Sequence, residues 1–223
     1  MELLLYLAAI VIMMAAQAGV QGRYRKYSQI RSDRGRSGAE VARKILDSKG
    51  LYHVRVEQNS NSGVLSDHFD PKQNVVRLSR AVYMDDSIAS VAVAAHEVGH
   101  AIQYAEGYRA IAVRNTILPF AIVAQNLGWA AIFLGFMSNF DGFIGIGILM
   151  LLIIAAFQLI TLPVEFNASK RALLLLENGY LDEDEVRDAK SMLSAAAFTY
   201  VAALIATLAN ILRILMTVNR RRK

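Results

Sequence analysis

Three apolar runs, each about as long as a membrane is thick, constrain the fold of this chain more than any other feature. They extend from Leu3 to Val20, from Ile117 to Met137 and from Phe143 to Leu162. Roughly 20 helical residues cross the hydrocarbon core of a bilayer, so each run is long enough for one membrane helix. Hydrophobic residues make up 55% of the 223 residues, more than an ordinary soluble domain carries. We therefore predict a mainly α-helical membrane protein with three or four membrane helices.

The charges that flank the first run predict its orientation. Only Glu2 precedes it, whereas residues 23–55 hold ten Lys and Arg. A cleaved signal peptide is the alternative, but it would carry positive charge before the apolar run and a small-residue cleavage site after it. Because basic residues collect on the cytoplasmic side, we expect residues 1–22 to form a retained anchor whose C-terminal end faces the cytoplasm.

The second and third runs predict a transmembrane hairpin over residues 117–162. Their linker, Ser138 to Gly142, contains Asp141 and no basic residue, which indicates the outer side. Two crossings return the chain to the side it left. The predicted segments 23–116 and 163–223 should therefore share a compartment, and together with the hairpin they should form one integrated unit.

A fourth apolar stretch, from Ala195 to Met216, does not fit this topology. If it crossed the membrane, the basic residues 220–223 would lie outside, against the positive-inside rule. The stretch also carries polar side chains at helical spacing, namely Tyr200, Thr207, Asn210 and Arg213. We therefore expect it to pack on other helices or to lie at the interface, with the C-terminus inside.

A small β element is predicted between the anchor and the hairpin. Ser37 and Glu40 can form a capping box for a short helix that Gly50 ends. His53 to Glu57 and Asn74 to Ser79 then alternate as strands do, with a turn over residues 59–63. The second of these strands could accept an extended substrate as an added strand, or it could be a structural edge strand.

The segment AAHEVGHAIQ, from Ala94 to Gln103, carries the clearest chemical signal in the sequence. On a helix, His96 and His100 are one turn apart on one face, so two neutral imidazoles can hold two corners of a tetrahedral Zn²⁺ site. Glu97 adjoins that face and can take a proton from a water without being a ligand. This HExxH pattern is typical of zinc-dependent peptidases. The alternative is a helix whose two His only satisfy hydrogen bonds.

A catalytic zinc site needs a third protein ligand, and the chain has no Cys to supply a thiolate. Glu165 is our candidate, because it follows the hairpin and begins a predicted helix in the compartment of His96 and His100. Pro163 fits the first turn of that helix. The alternative role of Glu165 is to complement the helix dipole.

Four segments resemble the YugP family of membrane zinc metallopeptidases, namely LSDHFDP at 65–71, VAAHEVGHAIQ at 93–103, PVEFNAS at 163–169 and FTYVAAL at 198–204. The resemblance covers nearly the whole chain, and the family is distantly similar to the HtpX and CAAX-prenyl proteases. It implies a gluzincin-like helical core with one Zn²⁺ per chain on His96, His100 and Glu165, and Glu97 as the general base. The distant relatives place an Asp four residues after the ligand Glu, where it supports a zinc His. Here that position is Ser169, whose hydroxyl would orient an imidazole less strongly.

We therefore expect an integral membrane zinc endopeptidase that hydrolyses protein or peptide substrates at the cytoplasmic surface of the cell membrane. His68 and Tyr200 are candidates for contacts with substrate or transition state, with a structural role as the alternative for each. The competing functions are a non-catalytic membrane adaptor and a metal-sensing protein that keep the peptidase fold. Residues flanking membrane helices explain the net charge of +5 and no nucleic-acid motif is present, so the expected partners are substrate and lipid. The sequence does not define the oligomeric state.

Overall fold

A computed structural model of the chain describes residues 2–59 and 66–221. The helices are α1 (Glu2–Tyr27), α2 (Gly38–Ser48), α3 (Arg80–Met84), α4 (Ile88–Ala105), α5 (Arg109–Ser138), α6 (Asp141–Glu177) and α7 (Glu183–Arg221). The strands are β1 (Arg55–Gln58), β2 (His68–Asp70) and β3 (Val75–Leu78). The predicted fold class, mainly α-helical with a small β element, is confirmed. Most of the turn expected over residues 59–63 and the first residue of the LSDHFDP segment lie outside the described residues.

The chain divides into two compact units, which we name for their contents. The sheet unit comprises residues 19–108 and 164–197, and the hairpin unit comprises residues 1–18, 109–163 and 198–223. The sheet unit contains all three strands together with α2, α3 and α4. The hairpin unit contains α5 and the apolar part of α6.

Four helices in the described part of the chain are long and apolar enough to cross a membrane by length and composition. They are Leu3–Tyr27, Arg109–Ser138, Asp141–Glu177 and Glu183–Arg221. Only 17% to 28% of the most apolar window in each helix is buried by protein, so most of these apolar side chains are left for lipid to cover. The number agrees with the three or four membrane helices predicted, and the fourth is the C-terminal stretch.

Pro163 does not begin a new helix, so that prediction is wrong. It lies inside α6, which runs without a break from Asp141 to Glu177. Proline removes one backbone N–H, but membrane helices tolerate it where neighbouring groups satisfy the freed carbonyl. Pro119 lies inside α5 in the same way. Glu165 therefore belongs to the same helix as the third apolar run.

The C-terminal end of α7 also differs from the prediction. The Arg221 guanidinium lies 4.6 Å from the centroid of the Phe136 ring, and Arg221 Nη1 lies 3.4 Å from Asn139 Oδ1. The C-terminal end of α7 and the linker between α5 and α6 therefore lie at the same end of the hairpin unit, not at opposite ends as expected. Packing explains the difference, because Ile211 and Ile214 of α7 are buried in the apolar core of this unit.

Glycines bring α5 and α6 of the hairpin unit close together. A Cβ on Gly135 would lie 2.7 Å from the backbone N of Ile144, and a Cβ on Gly147 would lie 2.9 Å from Gly128 O. Small residues at such crossings let helix backbones approach closely, which is how helices associate in lipid. The predicted hairpin is therefore held by backbone proximity as well as by its linker.

The sheet has the order β1-β3-β2, with β3 parallel to β1 and antiparallel to β2. Asn74 to Ser79, predicted as a strand that accepts substrate or forms an edge, corresponds to the central strand β3. Both edges of β3 are paired, so neither suggestion holds. Val75, Val76 and Leu78 are fully buried, which explains why this strand takes the centre.

The short helix before the sheet forms as predicted. Ser37 Oγ accepts a hydrogen bond from Glu40 N at 3.3 Å, and Glu40 Oε2 accepts one from Ser37 N at 2.9 Å. The helix ends before Gly50, whose φ of 71° is the left-handed conformation that glycine adopts readily. Its buried face, including Val41 and Ile45, joins the core that surrounds α4.

Candidate metal centre

Helix α4 presents the two predicted histidine ligands. Ser87 caps it, since Ser87 Oγ accepts a hydrogen bond from Ser90 N at 3.2 Å, and Gly107 with a φ of 64° follows its end. The rings of His96 and His100 have centroids 4.8 Å apart and are nearly perpendicular at 87°. The two imidazoles therefore share one face of the helix, as their spacing predicts.

Helix α6 brings Glu165 to the same point. Glu165 Oε2 lies 3.3 Å from His96 Nε2 and 3.7 Å from His100 Nε2. One donor atom from each of the three residues lies within 4.8 Å of the other two. Zinc ligands at about 2.0–2.1 Å in a tetrahedron are about 3.3 Å from one another, so the spacing and the donor types fit a zinc ion.

A glycine lets the two helices approach closely enough to form this group. Gly99 lies between the two histidines, and a Cβ at that position would lie 2.8 Å from the carbonyl oxygen of Ala168. Real Cβ atoms do not come this close to a backbone oxygen. The glycine of HEVGH therefore has a packing role, because any larger residue would push α6 and Glu165 away from α4.

Two buried carboxylates make the site favourable for a cation. Glu97 and Glu165 are both buried, with 8% and 5% of their surfaces exposed. Burial works against the charged form of His100, but the hydrogen bond that this form donates to Glu165 and the charge of Glu97 outweigh it, so the pKa of this imidazole lies above its ordinary value. Two carboxylates thus favour positive charge at the position where the imidazoles converge.

Gln103 fixes the tautomer of His100. The Gln103 amide nitrogen donates to the carbonyl oxygen of Val164 at 2.9 Å, so the amide oxygen must face His100 Nδ1, which lies 3.0 Å away. An oxygen can only accept, so Nδ1 carries a proton, and in the neutral imidazole Nε2 is the nitrogen that is left to bind a metal. Gln103 is fully buried, so no water competes for these bonds.

The same amide continues into a polar chain that joins α4 to α6. Gln103 Nε2 also donates to Asn167 Oδ1 at 2.9 Å, and Arg171 Nε donates to that oxygen at 2.7 Å. Arg171 Nη1 in turn lies 2.7 Å from Glu106 Oε2 near the end of α4. These contacts cross between the two ligand-bearing helices and hold them in register.

His96 has a different neighbour. Ser169 Oγ lies 3.2 Å from His96 Nδ1, one turn after Glu165 on α6. The hydroxyl oxygen can accept a hydrogen bond from Nδ1–H, which leaves the Nε2 of His96 free to bind a metal. Ser169 therefore contacts the imidazole from the position where the distant relatives place an Asp.

The other two predicted contact residues, His68 and Tyr200, are not members of this group of donors. His68 is exposed on the edge strand β2, with its Nδ1 2.9 Å from Ser66 O. Tyr200 belongs to the hairpin unit, whereas the three candidate ligands belong to the sheet unit. Burial raises the pKa of Asp67, the residue before His68, and hydrogen bonds from Ser79 oppose this rise. The negative charge of Glu97 raises the pKa of Asp67 further.

Hydrogen bonds to the backbone explain a second cluster of acidic residues in the described part of the chain. Asp33, Asp182 and Glu185 have oxygens close enough together to hold a metal. Glu185 Oε1 accepts a hydrogen bond from Asp33 N, and Glu185 Oε2 accepts one from Asp182 N, both at 2.8 Å. Asp33 and Asp182 are exposed. Glu185 therefore binds two backbone N–H groups, one just before α7 and one in the segment that follows α1.

Sequence reasoning missed Gln103, Asn167 and Arg171. A signal was available, because Gln103 is three residues after His100 and so lies on its helical face. Asn167 and Arg171 are likewise four residues apart on α6. What the sequence could not show is that these two faces meet.

Two imidazoles and a carboxylate from separate helices form a set of donors of the kind that zinc peptidases use, and Glu97 follows the first of the two histidines in the sequence. The chain matches, over residues 2–219, the family described as "Putative neutral zinc metallopeptidase", and it belongs to that family. It is 43% identical over 213 residues to "Putative membrane protease YugP" of Bacillus subtilis (strain 168), covering 95% of this chain and 94% of that protein. No solved structure matches the chain.

Proposed function

We propose that this chain is a membrane-bound zinc endopeptidase in which His96, His100 and Glu165 hold one Zn²⁺ and Glu97 is the general base. The observation that carries the proposal is that the three donor atoms lie within 4.8 Å of one another, although Glu165 follows His96 by 69 residues and His100 by 65 residues in the sequence. Family membership supports the same chemistry. Proteins or peptides are the substrate class.

Bound zinc would polarise the scissile carbonyl and make a water acidic enough to attack it near neutral pH. Glu97 accepts the proton of the attacking water and delivers it to the leaving amine. Glu97 is buried and its charge acts on His100, which supports a place for its carboxylate near the ligands. Gln103 and Ser169 hold the two imidazoles with Nε2 available as the ligand atom.

His68 is our candidate for a contact with the substrate or the oxyanion. It shares the sheet unit with the ligands and follows Asp67, whose carboxyl is influenced by Glu97. Its exposed ring and its place on an edge strand favour contact with a bound chain. Tyr200 of α7 is the second candidate for such a contact.

The decisive experiment compares wild type with Glu97→Gln on a general protein substrate, using purified full-length protein. We expect Glu97→Gln to lose about 10²–10⁴-fold in hydrolysis, the range that a general base contributes, while it retains one zinc per chain. Glu165→Ala should lose zinc as well as activity. Glu177→Gln is the matched control, because it changes an exposed Glu on the same helix.

Two results would overturn the proposal. Hydrolysis that survives in pure Glu97→Gln, or that a zinc chelator leaves unchanged, would remove the proposed chemistry. Wild-type protein that binds zinc and cleaves nothing would point to the adaptor or metal-sensing alternative.

We also propose that the site faces the cytoplasm, because residues 23–55 of the sheet unit hold ten Lys and Arg, whereas the linker at residues 138–142 has none, although the C-terminal residues 220–223, which adjoin it at Arg221, have four. The chain has no Cys, so single cysteines can be introduced without background. In intact cells, a membrane-impermeant thiol reagent should label Asn139→Cys and spare Tyr52→Cys, both exposed positions. The reverse pattern would place the site outside.

A further inference from the structure

A groove in the hairpin unit, unrelated to the candidate metal centre, combines arginines with an aromatic wall. It has a volume of about 370 Å³ between α5 and α7. Its main lining residues are Trp129, Phe133, Phe136, Arg213, Thr217 and Arg221. We call it the Arg213 groove. Both helices are long and apolar enough to span a membrane, so an arginine inside one of them needs a physical explanation.

Arg213 is incompletely satisfied where it lies. Its guanidinium stacks 4.8 Å from the centroid of the Tyr6 ring, which attracts a cation. Its Nε is buried and has no hydrogen-bond partner among the described residues. An unpaired buried charge is costly, and arginine offers five N–H donors that are well suited to phosphate or carboxylate oxygens.

The hairpin unit cannot supply enough anions itself. Its sequence has two carboxylates, Glu2 and Asp141. Against them stand the basic residues Arg109, Arg114, Arg213, Arg220, Arg221, Arg222 and Lys223. The counter-charge for the groove must therefore come from outside the unit.

The wall of the groove indicates what carries that charge. Phe133 and Trp129 are 64% and 42% exposed on a helix that lipid can surround. A free anion would gain nothing from these rings, whereas an acyl chain would cover them. Arg221 is placed near the α5–α6 linker by its contacts with Phe136 and Asn139, so the groove has two arginines at one side and an apolar wall along the other.

We propose that the Arg213 groove binds an anionic phospholipid, with the phosphate at Arg213 and Arg221 and an acyl chain along Trp129, Phe133 and Phe136. Basic pockets between membrane helices are a known way of recognising acidic headgroups. The site is independent of the candidate metal centre, so its test does not depend on peptidase activity.

The chain has a single tryptophan, and it lines this groove, which allows a direct measurement. Purified full-length protein is titrated with phosphatidylglycerol or phosphatidylcholine carrying the same brominated acyl chains, and quenching of Trp129 fluorescence is recorded. We expect phosphatidylglycerol to reach half-maximal quenching at about tenfold lower concentration, the factor expected from one or two charge-assisted hydrogen bonds. Equal quenching by the two lipids would overturn the proposal without any variant.

Variants then test the named residues. Arg213→Gln and Arg221→Gln should each abolish most of the preference for phosphatidylglycerol, and Arg213→Lys should keep part of it. Arg220→Gln is the matched control, since it removes the same charge from the next residue, which does not line the groove. A preference lost equally in Arg220→Gln would show general surface charge and refute the site. If inorganic phosphate at millimolar concentration abolished the preference, the ligand would be a free anion and the lipid assignment would be wrong.

Discussion

In the sheet unit, the polar side chains of the candidate centre find their partners within the chain, whereas in the hairpin unit several buried polar side chains do not. The described residues contain five buried side-chain atoms without a hydrogen-bond partner. Four of them belong to the hairpin unit: the Nε atoms of Arg114 and Arg213 and the amide oxygens of Gln158 and Asn210. The fifth, Ser32 Oγ, lies in the sheet unit. The polar groups of the candidate centre are thus satisfied by other residues of the chain, whereas those of the hairpin unit call for hydrogen-bond partners from outside it.

The difference has a physical cause in the two kinds of packing. Around α4, side chains such as Gln103 and Ser169 reach the imidazoles because two helices approach closely at Gly99. A centre held in this way can accept a small cation without rearrangement, which is what preorganisation requires. The hairpin unit is held by apolar side chains and glycines. Such packing offers few polar groups to an arginine.

The largest expected effects come from substituting one closely packed glycine in each unit. Gly99→Ala in the sheet unit would place a Cβ 2.8 Å from Ala168 O, and Gly147→Ala in the hairpin unit would place one 2.9 Å from Gly128 O. Each overpacking should cost about 1–3 kcal/mol in the free energy of unfolding. Only Gly99→Ala should also lose zinc, by at least about tenfold in affinity, because it displaces Glu165 from the imidazoles. Thermal unfolding and zinc titration against a competing chelator measure the two effects.

Gly145→Ala is the control for both variants, since a Cβ there would meet nothing within 4 Å and the residue lies inside α6. It should be neutral or slightly stabilising, because alanine favours helix over glycine. Wild-type zinc affinity in Gly99→Ala would show that the close approach of α4 and α6 does not form the site.

A smaller effect is expected from the polar chain behind His100. Gln103→Leu keeps the volume of the side chain but removes the acceptor for His100 Nδ1 and the donor to Val164 O. Loss of such a supporting contact typically weakens metal binding about 10–100-fold. Zinc titration should show this loss, while an exposed glutamine, in Gln29→Leu, should give wild-type affinity. A Gln103→Leu variant that binds zinc normally would mean that the imidazole is oriented without the amide.

These contacts also mark where sequence reasoning succeeds and where it stops. The HExxH helix, the capping box at Ser37 and the apolar runs follow from local spacing, and the structure contains each of them. Pro163 was misread because local rules end a helix at proline, whereas apolar residues on both sides continue it. The hydrogen bond from Gln103 to Asn167 joins residues that are 64 positions apart in the sequence. It forms because two helices pack together, and no local sequence pattern predicts that packing.

The smallest expected effect concerns the pH dependence of stability in the sheet unit, where Asp67 and Asp70 should act in opposite directions. Burial first, and then the charge of Glu97, raises the pKa of Asp67, although hydrogen bonds from Ser79 oppose this rise. Burial also opposes ionisation of Asp70, but hydrogen bonds from the N–H groups of Gln73 and Lys72 and from Arg77 outweigh it, so its pKa is lowered. The unfolded value for both is about 3.9.

The signs follow from proton linkage. The contribution of Asp67 to stability is greatest below its unfolded pKa and is lost as the pH rises through the raised folded value. The contribution of Asp70 is present above its unfolded pKa and is lost as the pH falls through the lowered folded value. Unfolding temperatures of zinc-free protein across about pH 3–7, compared with Asp67→Asn and Asp70→Asn, should therefore give difference curves of opposite slope, each amounting to less than one proton. Curves of the same sign would contradict the burial of Asp67 beside Glu97, because only that environment makes its carboxyl resist ionisation.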